Sequence, residues 1–350
     1  MTSSEIPDLP FELILLIGNQ IDPIKDKHVL LKFALTCRSC YIEFQPLLNS
    51  RIRFKSKSEL LNWVGMVNTE ASLIPTPTHK SKANQIRELD FSHFRALPPT
   101  ILDEIAGLVG SVLTSLDLSN IENLTDVNLL MLSKNQGLRS LKLRRNDHIT
   151  DFGLKLAGRY FKSLNSITLI SLKGITAWGL ERLCKKCSQI QSFIVKSCPG
   201  ISERGIRFFT RKFNRPDIQI LKLVDLPISV SNLNLMSGWS LNLTWLALSL
   251  SPTISIYDIK AFLSKNLVTT GLELNIKYLP VSFVHDAIEP IRTLGLKNLS
   301  LRGRDVGAFE LYQIIQSWDL QSLQVRPSFS SQQLFRFICS KARFRVVSHR

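Results

Sequence analysis

A pattern of the form apolar-x-x-apolar-x-apolar recurs along most of this 350-residue chain, and it constrains the fold more than any other feature. It begins at Ile86, Leu113, Leu138, Leu164, Ile190, Ile218, Leu243, Leu296 and Leu320, with a weaker copy whose first slot is Thr269. Successive starts lie 24 to 28 residues apart, with a mean of 26. Self-similarity at such a period marks a repeat array, in which each unit buries its apolar face only against its neighbours. Alternation at the end of each copy predicts a short strand, because successive strand residues point to opposite faces. Twelve residues after the strand start stand Thr125, Thr150, Thr176 and Ser202, hydroxyl residues suited to capping a helix amino terminus. Gly153, Gly179 and Gly205 then align, each followed by an apolar residue. The unit is therefore a strand, a turn, a cap and an amphipathic helix. The expected fold class is α/β: a solenoid of about ten repeats over residues 86–350, with a curved parallel sheet inside and helices outside.

Composition narrows the class. Hydrophobic residues at 44% and charged residues at 21% exclude a disordered or collagen-like chain. The early apolar run Leu13–Ile17 falls far short of the roughly 20 residues of a membrane span. The start, Met-Thr-Ser-Ser-Glu, lacks the basic opening of a secretory signal, so a cytoplasmic or nuclear protein with no membrane partner is expected. Lys and Arg number 44 against 28 Asp and Glu, a net charge of +16. Residues 1–60 contribute only +1 of this, leaving +15 on the remainder. Such an excess favours acidic partners: nucleic acid, phosphorylated protein or anionic membrane.

No sequence motif supports catalysis. There is no phosphate-cradling glycine loop, no H-E-x-x-H and no G-x-S-x-G. The six histidines are dispersed, and no metal or cofactor site is expected. Two C-x-x-C pairs, Cys37/Cys40 and Cys184/Cys187, could in principle build a zinc site. The repeat register argues otherwise for the second pair. Cys187 aligns with Phe161 and Phe213, and Cys184 with Gly158 and Thr210, so both read as small buried hydrophobes.

The repeats resemble the leucine-rich-repeat family in its 26-residue cysteine-containing subtype, most strongly at Leu138–Asp151 and Ile190–Gly205. The characteristic Asn/Cys slot holds Asn146 and Cys198, but Ile121, Leu172 and Leu226 elsewhere, and the copies after residue 240 are degenerate. Residues 1–50 stand apart from the repeat. Asp8-Leu9-Pro10 opens a helix, with proline tolerated in its first turn. That helix is apolar nearly all round through Phe11–Ile17, so one face packs on its own module and another meets something else. Two more helical stretches follow, about residues 26–35 and 36–48. Residues 51–85 read as a connection: an extended piece at Arg51–Phe54, a helix at Glu59–Val67 that buries Trp63, then a polar loop containing Thr76-Pro77.

The amino-terminal module resembles an F-box. The family pattern is matched by Leu9, Pro10, Glu12, Leu13 and Ile17, then by Leu30, Leu31, Ala34, Cys37 and Arg38, and by Tyr41, Phe44 and Leu47. An F-box followed by such repeats is similar to the substrate receptors of SCF-type ubiquitin ligases. The resemblance implies a non-catalytic subunit. Leu9, Pro10, Leu13 and Ile17 would contact a Skp-type linker protein attached to a cullin, with the second and third helices supplying more, and the repeat arc would hold a protein substrate. Non-apolar slots of the strands, expected on the concave side, carry Lys142, Arg144, Arg145, Lys196, Lys222, Arg302 and Arg326, with Trp245 and Leu250 as apolar anchors. Opposing acids there are few: Asp117, Asp225 and Glu273. Lys142, Lys196 and Lys222 are expected to line up as one basic stripe, which predicts an acidic or phosphorylated substrate. The alternative reading is a basic scaffold that binds nucleic acid or chromatin through the array itself.

Overall fold

The computed structural model describes residues 27–36, 40, 44, 48, 50–72, 86–98, 100–109, 112–212, 217–236, 242–249, 254–263, 269–275, 295–317, 319–327, 336, 339–340, 342 and 345–348. The readings on Leu9, Pro10, Glu12, Leu13, Ile17, Cys37, Arg38, Tyr41, Leu47, Thr76-Pro77 and Leu250 lie outside these residues. The order is α1 (Lys27–Ala34), β1 (Arg51–Arg53), α2 (Lys57–Ser72), β2 (Glu88–Asp90), α3 (Ile101–Val109), β3 (Ser115–Asp117) and α4 (Asp126–Met131). It continues with β4 (Ser140–Arg144), α5 (Asp151–Tyr160), β5 (Ser166–Ile170), α6 (Ala177–Lys186), β6 (Ser192–Lys196), α7 (Glu203–Lys212) and β7 (Ile220–Val224). The last third holds α8 (Val230–Leu235), β8 (Trp245–Ser249), α9 (Ile256–Leu263), β9 (Gly271–Asn275), β10 (Asn298–Val306), α10 (Ala308–Ser317), β11 (Ser322–Pro327) and β12 (Arg345–Ser348).

All 12 described strands form one sheet in chain order, and every pairing is parallel. This is an α/β leucine-rich-repeat solenoid. The leucine slots turn inward: Leu141, Leu143, Ile167, Leu169, Leu246 and Leu248 are fully buried, and one apolar core runs from Phe54 to Val325. A residue in the left-handed region follows the strand in five consecutive repeats, at Asn120, Arg145, Ser171, Ser197 and Asp225. The turn does not end the ladder, because the N–H of Arg145 still donates to Ile170 O at 3.0 Å and that of Ser171 to Lys196 O at 2.8 Å.

Helix starts carry a second inter-repeat ladder. Thr150 Oγ1 accepts from Phe152 N at 3.1 Å, capping α5. Both its N–H and its hydroxyl donate to Asp126 of the preceding helix, at 2.9 and 2.6 Å. Thr176 repeats the arrangement on Asp151, at 2.7 and 2.6 Å. The aspartate therefore lies over the third residue of the next helix, and a Cβ there would run into it. That is why Gly153 and Gly179 align: each Cα abuts the carboxylate of Asp126 or Asp151. The Asn slot is filled once by a fully satisfied amide. Asn146 accepts from Arg144 N at 2.8 Å and donates to Leu118 O and Ile121 O, each at 2.9 Å. Cys198 occupies the same slot one repeat pair later and donates its thiol to Lys196 O at 3.4 Å.

The array begins earlier than the repeat pattern does. β1 pairs with β2, and α2 packs its buried Leu60, Trp63, Val64 and Val67 into the same core. Phe54 bridges the two, with ring centroids 5.4 Å from Trp63 and 5.6 Å from Phe91. In α1, Ala34 is buried while Leu31 is 49% exposed, and Cys40 and Phe44 beyond it are buried.

The glycine ladder gives a paired test. Gly179→Ala forces Asp151 aside and should destabilise the chain by about 1–3 kcal/mol. Gly107→Ala, at an exposed helical site with open space around it, should be neutral or add up to about 1 kcal/mol. Urea unfolding of both variants checks the difference.

Candidate functional site

The strand register sorts the concave face into rows. One row reads Arg53, Asp90, Asp117, Lys142, Thr168, Ile194, Lys222, Ala247, Glu273 and Ser300 from β1 to β10. Two residues further along each strand, the next reads Arg144, Ile170, Lys196 and Val224, then Ser249, Asn275 and Arg302. Lys142 and Lys222 thus share a row, three strands or about 14 Å apart. Lys196 does not join them. It lies in the row of Arg144, so the expected single stripe is two rows.

Much of the positive charge is already paired. At one end Arg51 meets Glu88 at 2.8 Å and Arg53 meets Asp90 at 2.6 Å. Burial alone would raise the Asp90 carboxyl, but hydrogen bonds from Ser92 and Arg53 together hold it below its ordinary value. That contribution to stability is present above the ordinary carboxylate range and is lost as pH falls through the lowered value. Lys142 pairs with Asp117 at 3.7 Å. At the other end Glu273, 10% exposed in its side chain, takes both Arg302 at 2.9 Å and Lys222 at 3.7 Å. Ala247 lies between Lys222 and Glu273 in the row, and its small side chain lets the charged heads meet above it. Asp225 is held in a polar net by Ser197, 2.7 Å, and Asn275, 2.8 Å. Arg326 sits in β11 in register with Asp305.

The charges left over surround an apolar floor. Among the described residues no carboxylate pairs with Arg144, Arg145 or Lys196. Arg145 follows β4 in the left-handed conformation, outside the strand's pleat. Arg144 and Lys196 are two strands apart with Ile170 between them. Beside them Ile194, Ile220 and Trp245 are half-buried around buried Val224 and Ala247. The indole of Trp245 lies flat because its neighbour in the row is Gly271, whose Cα it covers. Lys222 Nζ sits over the indole ring, 5.0 Å from its centroid. Trp245 Nε1 is buried and, among the described residues, has no acceptor.

Trp245 is the apolar anchor read from the sequence; the three isoleucines beside it escape that reading because outside the leucine slots they look like ordinary strand formers. The signal lies across three rows: Ile170, Ile194, and Ile220 with Trp245 occupy slots that serine, threonine or charged residues fill in earlier repeats. Elsewhere, Cys184, Cys187 and Cys198 are buried thiols, and burial pushes Cys198 up. Cys187 Sγ donates to Phe161 O at 3.4 Å. Among the described residues no three His, Cys, Asp or Glu side chains gather as metal ligands, and no helix is long and apolar enough to cross a membrane.

The Trp245 environment yields a test. Trp245→Phe keeps the ring over Gly271 and removes the unpartnered N–H, so stability should stay within about 0.5 kcal/mol or rise. Trp245→Ala should cost about 2–3 kcal/mol. Chemical denaturation of both reads the contrast.

No protein-family model and no curated protein sequence matches the chain. Solved structures do. A chain of the yeast Rad7 and Elc1 complex aligns over 90% of this chain and 88% of its own length, with 14% identity and a TM-score of 0.53. Internalin InlF from Listeria monocytogenes aligns over 76% of this chain and 69% of its own, with 17% identity and a TM-score of 0.42. A chain of the mouse RP105/MD-1 complex aligns over 75% of this chain and 46% of its own, with 15% identity and a TM-score of 0.38. At these identities the likeness is one of fold.

Proposed function

We propose that the chain is a non-catalytic binding subunit, and specifically a substrate receptor of an SCF-type ubiquitin ligase. Its amino-terminal residues 1–50, an F-box by their sequence pattern, dock on a Skp-type linker and so on a cullin. Leu9, Pro10, Glu12, Leu13, Ile17, Leu30, Leu31, Ala34, Cys37 and Arg38 make that contact. The concave face of the solenoid holds the substrate. Such a subunit contributes proximity and orientation, and the ubiquitin-transfer chemistry occurs on other proteins.

One observation carries the substrate side: an apolar floor of Ile170, Ile194, Ile220 and Trp245 rimmed by the unpaired cations Arg144, Arg145 and Lys196. Interfaces gain most of their energy from such buried aromatic and apolar anchors, while rim charges select the partner and steer its approach. The fitting ligand is a protein segment with apolar residues flanked by carboxylates or phosphates. Lys142, Lys222 and Arg302 act at second hand, since a substrate must first draw them from Asp117 and Glu273. Two further facts support the adapter side. Leu31 of α1 is a large apolar side chain left exposed. The similarity to the two-protein Rad7 and Elc1 complex spans more of the chain than residues 86–350 occupy.

Affinity mass spectrometry under proteasome inhibition separates the two halves. Pro10→Ala should reduce recovery of the Skp-type linker and cullin at least about fivefold and leave substrates bound. Arg144→Glu with Lys196→Glu should do the reverse. Recovery of no Skp-type protein by the wild-type chain would overturn the adapter reading.

A further inference from the structure

The concave face neutralises much of its own charge; the helical flank does not. The helices α5, α6 and α7 hold nine Lys and Arg against three acids, a net +6 of the chain's +16. The three acids are occupied: Asp151 holds Thr176, Glu203 pairs with Arg207 at 3.1 Å, and Glu181 is buried. Among the described residues no carboxylate lies at ion-pair distance from exposed Arg159, Lys185, Arg204 or Arg211.

These cations fall in register with the repeat. The ninth position counted from each helix start is Lys134 after α4, Arg159 in α5, Lys185 in α6 and Arg211 in α7. Neighbouring helices pack about 8–10 Å apart, so the flank presents one cation per repeat along a line. Large aromatics stand beside that line. Phe152, Trp178 and Phe208 are 52%, 43% and 48% exposed, although such side chains are ordinarily buried. Cations lie against several of the rings: Lys155 is 5.7 Å from the centroid of Phe152, Arg182 is 4.8 Å from Trp178 and Arg159 is 5.6 Å from Tyr160. Two clefts open on the same surface. One of about 640 Å³ between the starts of α6 and α7 is lined by Trp178, Arg204, Arg207, Phe208 and Arg211. The other, about 470 Å³, is lined by Arg159, Tyr160, Lys162 and Lys186.

We propose that this flank, the outer surface of α5, α6 and α7, binds single-stranded nucleic acid. The phosphates follow the line Arg159, Lys185, Arg211, and bases stack on Trp178, Phe208 and Tyr160 in the two clefts. Cations tracking a backbone beside aromatic planes that take unstacked bases are what such binding requires. A duplex keeps its bases stacked inward, leaving the aromatics unused. An acidic peptide satisfies the cations but has no planar rings for the clefts.

Fluorescence anisotropy of the full chain with a labelled oligothymidine of about 20 nucleotides tests the proposal. Binding is expected near 50 mM salt, with affinity falling steeply as salt rises. Arg159→Ala, Lys185→Ala and Arg211→Ala together should weaken it at least about tenfold and make the slope of log K against log salt shallower by about 2. Trp178→Ala with Phe208→Ala should weaken it at least about fivefold and leave that slope unchanged. Ultraviolet cross-linking of the wild-type chain needs no variant to fold, and its adducts should map to α5, α6 and α7. No binding near 50 mM salt, unchanged binding by the triple variant, or adducts confined to the concave strands would each overturn the proposal. So would a duplex of equal length, or polyglutamate of equal charge, competing as well as the single strand. None of these outcomes bears on the concave face.

Discussion

Stacking of one repeat on the next is the interaction on which everything else rests. A lone strand-turn-helix unit leaves one edge of its strand unpaired and one face of its leucines wet, and neither is tolerable in isolation. Its neighbour removes both defects at once. Parallel hydrogen bonds run from β1 to β12, and fully buried Leu141, Ile167, Phe193 and Leu221 pile into one column beneath them. The Thr–Asp ladder adds a directional lock at the helix starts, and glycine at the third helical position is the condition for it. Fixing the repeats against each other also fixes which side chains share a row. The surface properties of both faces therefore follow from the same stacking.

The two faces use charge differently for a geometric reason. On the sheet, neighbouring strands are about 4.8 Å apart, so an acid one or two strands away reaches a lysine or arginine readily, as Glu273 reaches Lys222 and Arg302. On the flank, helices stand about twice as far apart, and cations at matching positions such as Arg159 and Lys185 find no such partner among the described residues. Surface pairs of this kind add little stability. They tie up Lys142, Lys222 and Arg302, whereas Arg144, Arg145 and Lys196 have no carboxylate partner among the described residues.

The sequence made the period, the cap residues and the buried cysteines legible, because each recurs at a fixed offset and recurrence is visible without coordinates. Features that depend on reach across strands were not legible. That Lys222 meets Glu273 over Ala247 needs the register of three strands, and the separation of Lys196 from Lys142 needs the same knowledge. Arg145 has the composition of a strand residue, yet the left-handed turn takes it off the pleat. β1 and α2 lie in the array's sheet and core although their sequence carries no copy of the repeat, since aromatic packing by Phe54 and Trp63 replaces the leucine pattern there. The apolar floor is hidden for the opposite reason. Its isoleucines fit strand propensity so well that nothing sets them apart until the rows are aligned.

The central claim is that a protein partner seats on the concave floor between Arg144 and Lys196. A photoreactive residue introduced at Ile194 tests it most directly, with the same residue at Arg182 on the helical flank as the comparison. The account predicts protein adducts from position 194 that vanish when Arg144→Glu and Lys196→Glu are added, and none of those adducts from position 182. Adducts from 194 that persist unchanged in the charge-reversed chain, or the same partners captured from 182, would contradict it.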